Sequence, residues 1–143
     1  MENEPWRKML DRAARPRWKV APYFLVDDVV DTTNFYREKL GFGFERFWGD
    51  PPCFSIVWRD GASIMLSQVE SAGVMRPNCV ADPERSAWDA YFWIDDADAL
   101  HDELAGKGVP ITRAICNQMY GCRDFEIRDY NGYTLCFGQN MNS

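Results

Sequence analysis

One histidine, His101, and five cysteines bound the reactive chemistry open to this 143-residue chain. A single imidazole excludes a two-histidine metal site within one subunit. The cysteines are odd in number and lack zinc-type spacing, so they read as reduced thiols of a cytoplasmic protein. His101 shares a helical face with Ala97, Leu100 and Leu104, the pattern of a half-buried residue packed on a sheet. Carboxylates pair at Asp27-Asp28 and Asp95-Asp96, where their ordinary task is to complement a helix dipole. The unusual resource is aromatic: 15% of residues, six of them Trp. Such side chains bury large areas and also line ligand pockets.

The elements that position these residues repeat. Tyr120 to Gln139 reads as two short strands about the turn Asp129-Tyr130-Asn131-Gly132, with Asn-Gly a strong hairpin signal because both residues tolerate positive φ. Phe54 to Arg59, Asp60-Gly61 and Ala62 to Gln68 form a shorter version. Phe24-Leu25-Val26-Asp27-Asp28 and Phe92-Trp93-Ile94-Asp95-Asp96 each precede a helical stretch that closes in Gly. The chain therefore reads as two copies of one strand, helix, three-strand unit, residues 18–69 and 87–140, joined by a connector at 70–86. Strands are expected at Lys19 to Val26, Phe42 to Trp48, Trp88 to Ile94 and Ile111 to Asn117.

Residues 1–17 read as an added N-terminal helix, with Trp6, Met9, Leu10, Ala13 and Ala14 on one face and Pro16 ending it. The net charge of −6 argues against nucleic acid and mildly favours neutral or cationic ligands. No apolar run approaches the roughly 20 residues that span a bilayer, and Met1 to Leu10 lacks a signal-peptide core. No membrane partner and a cytoplasmic location are expected.

FYREKLGF at Phe35 to Phe42 and RDYNG at Arg128 to Gly132, set in two such units, resemble the vicinal oxygen chelate superfamily of glyoxalases, extradiol dioxygenases and bleomycin-resistance proteins. YGCRDFEIRDYNG is most similar to the bleomycin-resistance branch, with Asp124 where Glu is usual and Tyr130 where Pro is usual. The resemblance covers about residues 19–139. It implies an α+β fold in which two βαβββ units curl a mixed sheet around a cavity, with the helices outside. It also implies a homodimer with a groove between subunits. The family's four metal-ligand points fall on Ala21, Met65, Asp89 and Cys136, a poor set for a hard divalent ion. No metal or other cofactor is expected, and catalysis by Cys136 lacks a histidine to activate it.

Strand alternation from those points turns Tyr23, Leu25, Tyr91 and Trp93 into the cavity. A two-residue Asp60-Gly61 turn adds Phe54, Ile56 and Trp58, facing the same way as Ser63, Met65 and Ser67. The expected function is non-catalytic binding of a small planar or cationic molecule. Tyr23, Phe54, Trp58, Tyr91 and Trp93 would stack, Asp89 would meet positive charge, and Arg123 at the rim would meet an acceptor. The alternatives are a glyoxalase-like metal-dependent lyase or dioxygenase, and a scaffold that binds no small molecule.

Overall fold

The computed structural model describes residues 18–85 and 87–142; the expected N-terminal helix lies outside them. The first unit runs β1 (Tyr23–Val26), α1 (Val29–Glu38), β2 (Gly43–Trp48), β3 (Phe54–Arg59) and β4 (Ala62–Gln68). A 3-10 turn at Ala72–Val74 and the short α2 (Asn78–Ala81) occupy the connector. The second unit runs β5 (Ala90–Trp93), α3 (Ala97–Gly106), β6 (Ile111–Asn117), β7 (Cys122–Arg128) and β8 (Thr134–Asn140). The strand, helix, three-strand order appears twice. β1 is shorter than the sequence suggests because Pro22 has no N–H to donate to a ladder, although its carbonyl still accepts from Met65 N.

α1 and α3 each start at the second carboxylate of an acidic pair. Asp28 accepts from Asp31 N at 2.9 Å and Asp96 from Ala99 N at 3.0 Å, satisfying N–H groups that have no partner inside the helix. The hairpins behave differently from one another. Asp60 (φ 48°) and Gly61 (φ 88°) both take left-handed backbone, and Arg59 pairs directly with Ala62. The second hairpin closes at Arg128 and Thr134, which leaves a five-residue loop in which only Gly132 (φ 91°) has positive φ. Asn131 contributes through its side chain instead, donating to Thr32 Oγ1 and accepting from Asp27 N.

Each unit forms its own four-stranded mixed sheet, ordered β1-β4-β3-β2 and β5-β8-β7-β6. The two parallel pairs are β1 with β4 and β5 with β8. One apolar core joins the units through the helix-side faces. Phe24, Val26, Tyr36, Ile64 and Leu66 from the first unit share it with Leu104, Phe125, Ile127, Leu135 and Phe137 from the second. Burying each such side chain contributes about 1.5–3 kcal/mol. The Arg59–Glu103 ion pair and the Tyr36–Asp129 hydrogen bond also cross between the units. With the helix sides occupied, the opposite sheet faces turn away from the core. No helix among the described residues is long and apolar enough to cross a membrane.

Candidate functional site

On the first sheet, pairing places Tyr23 beside Met65 and Met65 beside Ile56. The neighbouring rows join Leu25, Ser67 and Phe54, and then Ser63, Trp58 and Gly43. The face is a shallow aromatic surface. Tyr23 and Phe54 lie 6.1 Å apart, and Trp48 meets Phe54 edge-on at 5.6 Å. Arg46 sits over the Trp48 ring at 4.6 Å. Tyr23 is 58% exposed and Trp58 44%, so this face is open rather than self-packed.

The corresponding face of the second sheet carries charge. Tyr91, Cys136 and Glu126 form one row, and Arg113 stands opposite Glu126. The Arg113 guanidinium donates to Glu126 through Nε at 2.6 Å and to Asp124 through Nη2. Asp124 also accepts from the Tyr91 hydroxyl at 3.0 Å and from the Tyr120 hydroxyl. Trp88 donates its indole N–H to Glu126 at 2.9 Å. Two buried carboxylates thus share one guanidinium. Above them the rings of Trp88, Tyr91 and Trp93 run in sequence at 4.8 and 4.9 Å spacings, with Trp93 67% exposed.

Hydrogen bonding sets the ionisation of this cluster. Burial works against charge on Asp124, but the hydrogen bonds from Tyr120, Arg113 and Tyr91 outweigh it and hold the carboxyl below its ordinary range. Burial, and then the bonds to Asp124, push both phenols up, so Tyr91 and Tyr120 remain protonated donors. Burial would lower Arg113, yet its two carboxylate partners raise it further. The Cys136 thiol is pushed up by burial first and by Asp124 next, despite Arg113 Nη2 at 3.6 Å. At neutral pH that thiol stays protonated, which makes it a weak nucleophile.

Two expected site residues do other work. Asp89 accepts from Asn78 N at 2.9 Å through one oxygen and from Thr134 N at 2.8 Å through the other. Its carboxylate ties the connector to β8. Arg123 does not lie at a pocket rim. It pairs with Asp98 of α3 at 3.0 Å and with Asn117, because β7 alternation sends it to the helix side and turns Asp124 inward. Tyr23, Phe54, Ile56, Trp58 and Met65 lie together on the first sheet, and Tyr91, Trp93 and Cys136 on the second. Sequence reasoning missed Trp88, Arg113, Tyr120, Asp124 and Glu126. The usable signal was the hairpin pairing, which sets Glu126 opposite Cys136 and Asp124 opposite Gly138.

The four family metal-ligand points do not fit a divalent ion. Ala21 has no donor atom, Met65 offers a thioether, Asp89 is committed to two N–H groups, and Cys136 is a buried thiol beside a guanidinium. Among the described residues no three His, Cys, Asp or Glu side chains form a metal-binding group.

Residues 19–137 match the sequence model of the Glyoxalase/Bleomycin resistance protein/Dioxygenase superfamily, and the chain belongs to that family. Solved structures share the fold at low identity. The bleomycin-binding protein from bleomycin-producing Streptomyces verticillus, complexed with copper(II)-bleomycin, is 23% identical with a TM-score of 0.63 over 90% of this chain and 99% of its own. TioX from Micromonospora sp. ML1 is 14% identical with a TM-score of 0.67 over 87% and 99%. Lactoylglutathione lyase from Agrobacterium tumefaciens is 16% identical with a TM-score of 0.63 over 89% and 97%. No curated protein sequence matches the chain.

Proposed function

We propose that the protein binds a small planar, cationic molecule without transforming it, between the open face of one sheet and that of a second copy of the chain. The observation that carries this reading is the ring sequence of half-buried Trp88 and Tyr91 and exposed Trp93, next to Asp124 and Glu126, which share a single guanidinium. Open aromatic rings supply stacking area, and the uncompensated carboxylate supplies a negative potential that favours a cation. The aromatic face of the first sheet, around Tyr23, Phe54 and Trp58, supplies the opposing wall. Each face alone leaves large rings exposed to water, which favours pairing of two copies.

Asp124 and Glu126 join Asp89 as the source of charge specificity. The fold's bleomycin-binding relative supports the same class of reading; the metal-ligand points give a metal-dependent lyase no support. Titration of acridinium-type cations and their neutral isosteres, followed by tryptophan emission and calorimetry, tests the proposal. Saturable binding should favour the cations and weaken in Trp93→Ala, whose exposed ring contributes little to stability. Absence of saturable binding to any planar compound by a folded protein overturns it. Light scattering that gives a monomer mass at micromolar concentration overturns the shared groove.

A further inference from the structure

The carboxylate of Glu126 is only half used by the protein. Its Oε2 accepts from Trp88 Nε1 at 2.9 Å and from Arg113 Nε at 2.6 Å, while Oε1 has no partner among the described residues. The side chain is 9% exposed, and a carboxylate oxygen so placed is costly unless it meets a donor. The buried Thr134 hydroxyl likewise has no partner among the described residues. Neither oxygen is sealed off, and both residues line one cavity of about 290 Å³.

The same cavity is walled by guanidiniums. Arg128 stands opposite Thr134 across the hairpin and shares the sheet face of Glu126. It is exposed, and among the described residues it makes no ion pair or side-chain hydrogen bond. Arg113 is committed to Glu126 and Asp124, and a bulge puts it there. Ile111 pairs with Ile127 but Arg113 with Glu126, so Thr112 is the extra residue. Without it, strand alternation would send Arg113 to the core side with Ile111. Arg85 adds a third guanidinium to the wall, loosely paired with Asp82 at 3.4 Å.

This cavity continues the ring sequence. Thr134 lies at the Trp88 end of β5, where its carbonyl accepts from Asp89 N, and Trp88 itself binds Glu126. Charge therefore changes along the face: carboxylates next to the rings, a free guanidinium past Trp88. The volume falls below the roughly 300–1,000 Å³ that hold a whole drug-sized ligand, so it suits one arm of a larger molecule.

We propose that the ligand carries a carboxylate next to an N–H group, and that the cavity beyond Trp88 receives that arm. Arg128 pairs with the carboxylate, Glu126 Oε1 accepts the N–H, and the Thr134 hydroxyl donates to the remaining carboxylate oxygen. The inference rests on the reading of this face as a site for a planar cation and makes its ligand zwitterionic.

Three probes test it by calorimetry: 10-methylacridinium, the same ring bearing an N-acylglycine arm, and the methyl ester of that arm. The armed probe should bind about tenfold more tightly than either of the others. In Arg128→Gln, at an exposed position whose folding circular dichroism checks, the ratio of armed to arm-free affinity should fall to about one. Equal affinity of the armed and arm-free probes for the unaltered protein overturns this proposal and leaves the planar-cation reading standing. A gain that the ester keeps, or that survives Arg128→Gln, overturns the pairing of carboxylate and guanidinium. Saturable binding of none of the three overturns both readings.

Discussion

The Tyr36 hydroxyl donates to Asp129 Oδ2 at 2.6 Å, joining the middle of one unit's helix to the hairpin loop of the other. Both groups are buried. Asp129 also accepts from the backbone N–H groups of Asn131 and Tyr133, each at 2.9 Å. Desolvation nevertheless dominates and pushes its carboxyl up to about 6. The native state therefore binds a proton more tightly than the unfolded chain does.

The first prediction concerns the sign of that effect. Between about pH 4 and pH 6 the native state holds more protons on this group, so its contribution to stability falls as pH rises and levels off above pH 6. A shift of about two units corresponds to about 3 kcal/mol. Carboxyls held low, such as Asp124, act in the opposite sense and only at more acid pH. Urea unfolding of Asp129→Asn against the unaltered protein should show the variant gaining by up to about 3 kcal/mol from pH 4 to pH 7. A stability difference independent of pH contradicts the assignment.

Arg113→Met should be costly. It removes the one cation between two buried carboxylates while keeping the apolar stem of the side chain. The loss should be about 3 kcal/mol, at the low end for broken buried pairs because part of Arg113 faces water. A second change, Asp124→Asn, placed in the Arg113→Met background, should recover part of it. Denaturant midpoints of the two single variants and the double variant give the coupling directly.

Gly138→Ala probes the close approach of Tyr91. A Cβ at position 138 would stand 1.8 Å from the Tyr91 hydroxyl oxygen. The ring must move, which breaks its bond to Asp124 and the Trp88–Tyr91–Trp93 sequence. A loss of about 1–3 kcal/mol in thermal or chemical stability is expected. The affinity for planar cations should fall with it. Tyr91→Phe in the same assay separates the hydroxyl from the ring.

Cysteine reactivity should divide by position. Cys53 and Cys116 are exposed, while Cys122 and Cys136 are buried, and Cys136 is held as a thiol by burial and adjacent carboxylates. Iodoacetamide at pH 8 followed by peptide mass spectrometry should modify Cys53 and Cys116 first. Cys136 should react only on unfolding. Rapid modification of Cys136 in the native protein contradicts the low thiolate content described here.

Local chemistry was legible in the sequence because its causes are local. The Asp28 and Asp96 caps, the Asp60-Gly61 turn and the repeated order of elements follow from residues within a few positions of one another. The aromatic face of the first sheet followed as well, since a two-residue turn fixes the pairing of its flanking strands. The charged cluster on the second sheet needed the tertiary structure. Arg123 and Asp124 are adjacent, and one step of strand parity sends one to α3 and the other to Arg113. The commitment of Asp89 to Asn78 N and Thr134 N depends on where the connector folds back, a long-range contact with no local signature. The stacking of Tyr133 on Phe24 likewise spans more than 100 residues. Short-range hydrogen bonds and turn geometry determine elements. Which side chains meet is decided by register and packing between distant segments.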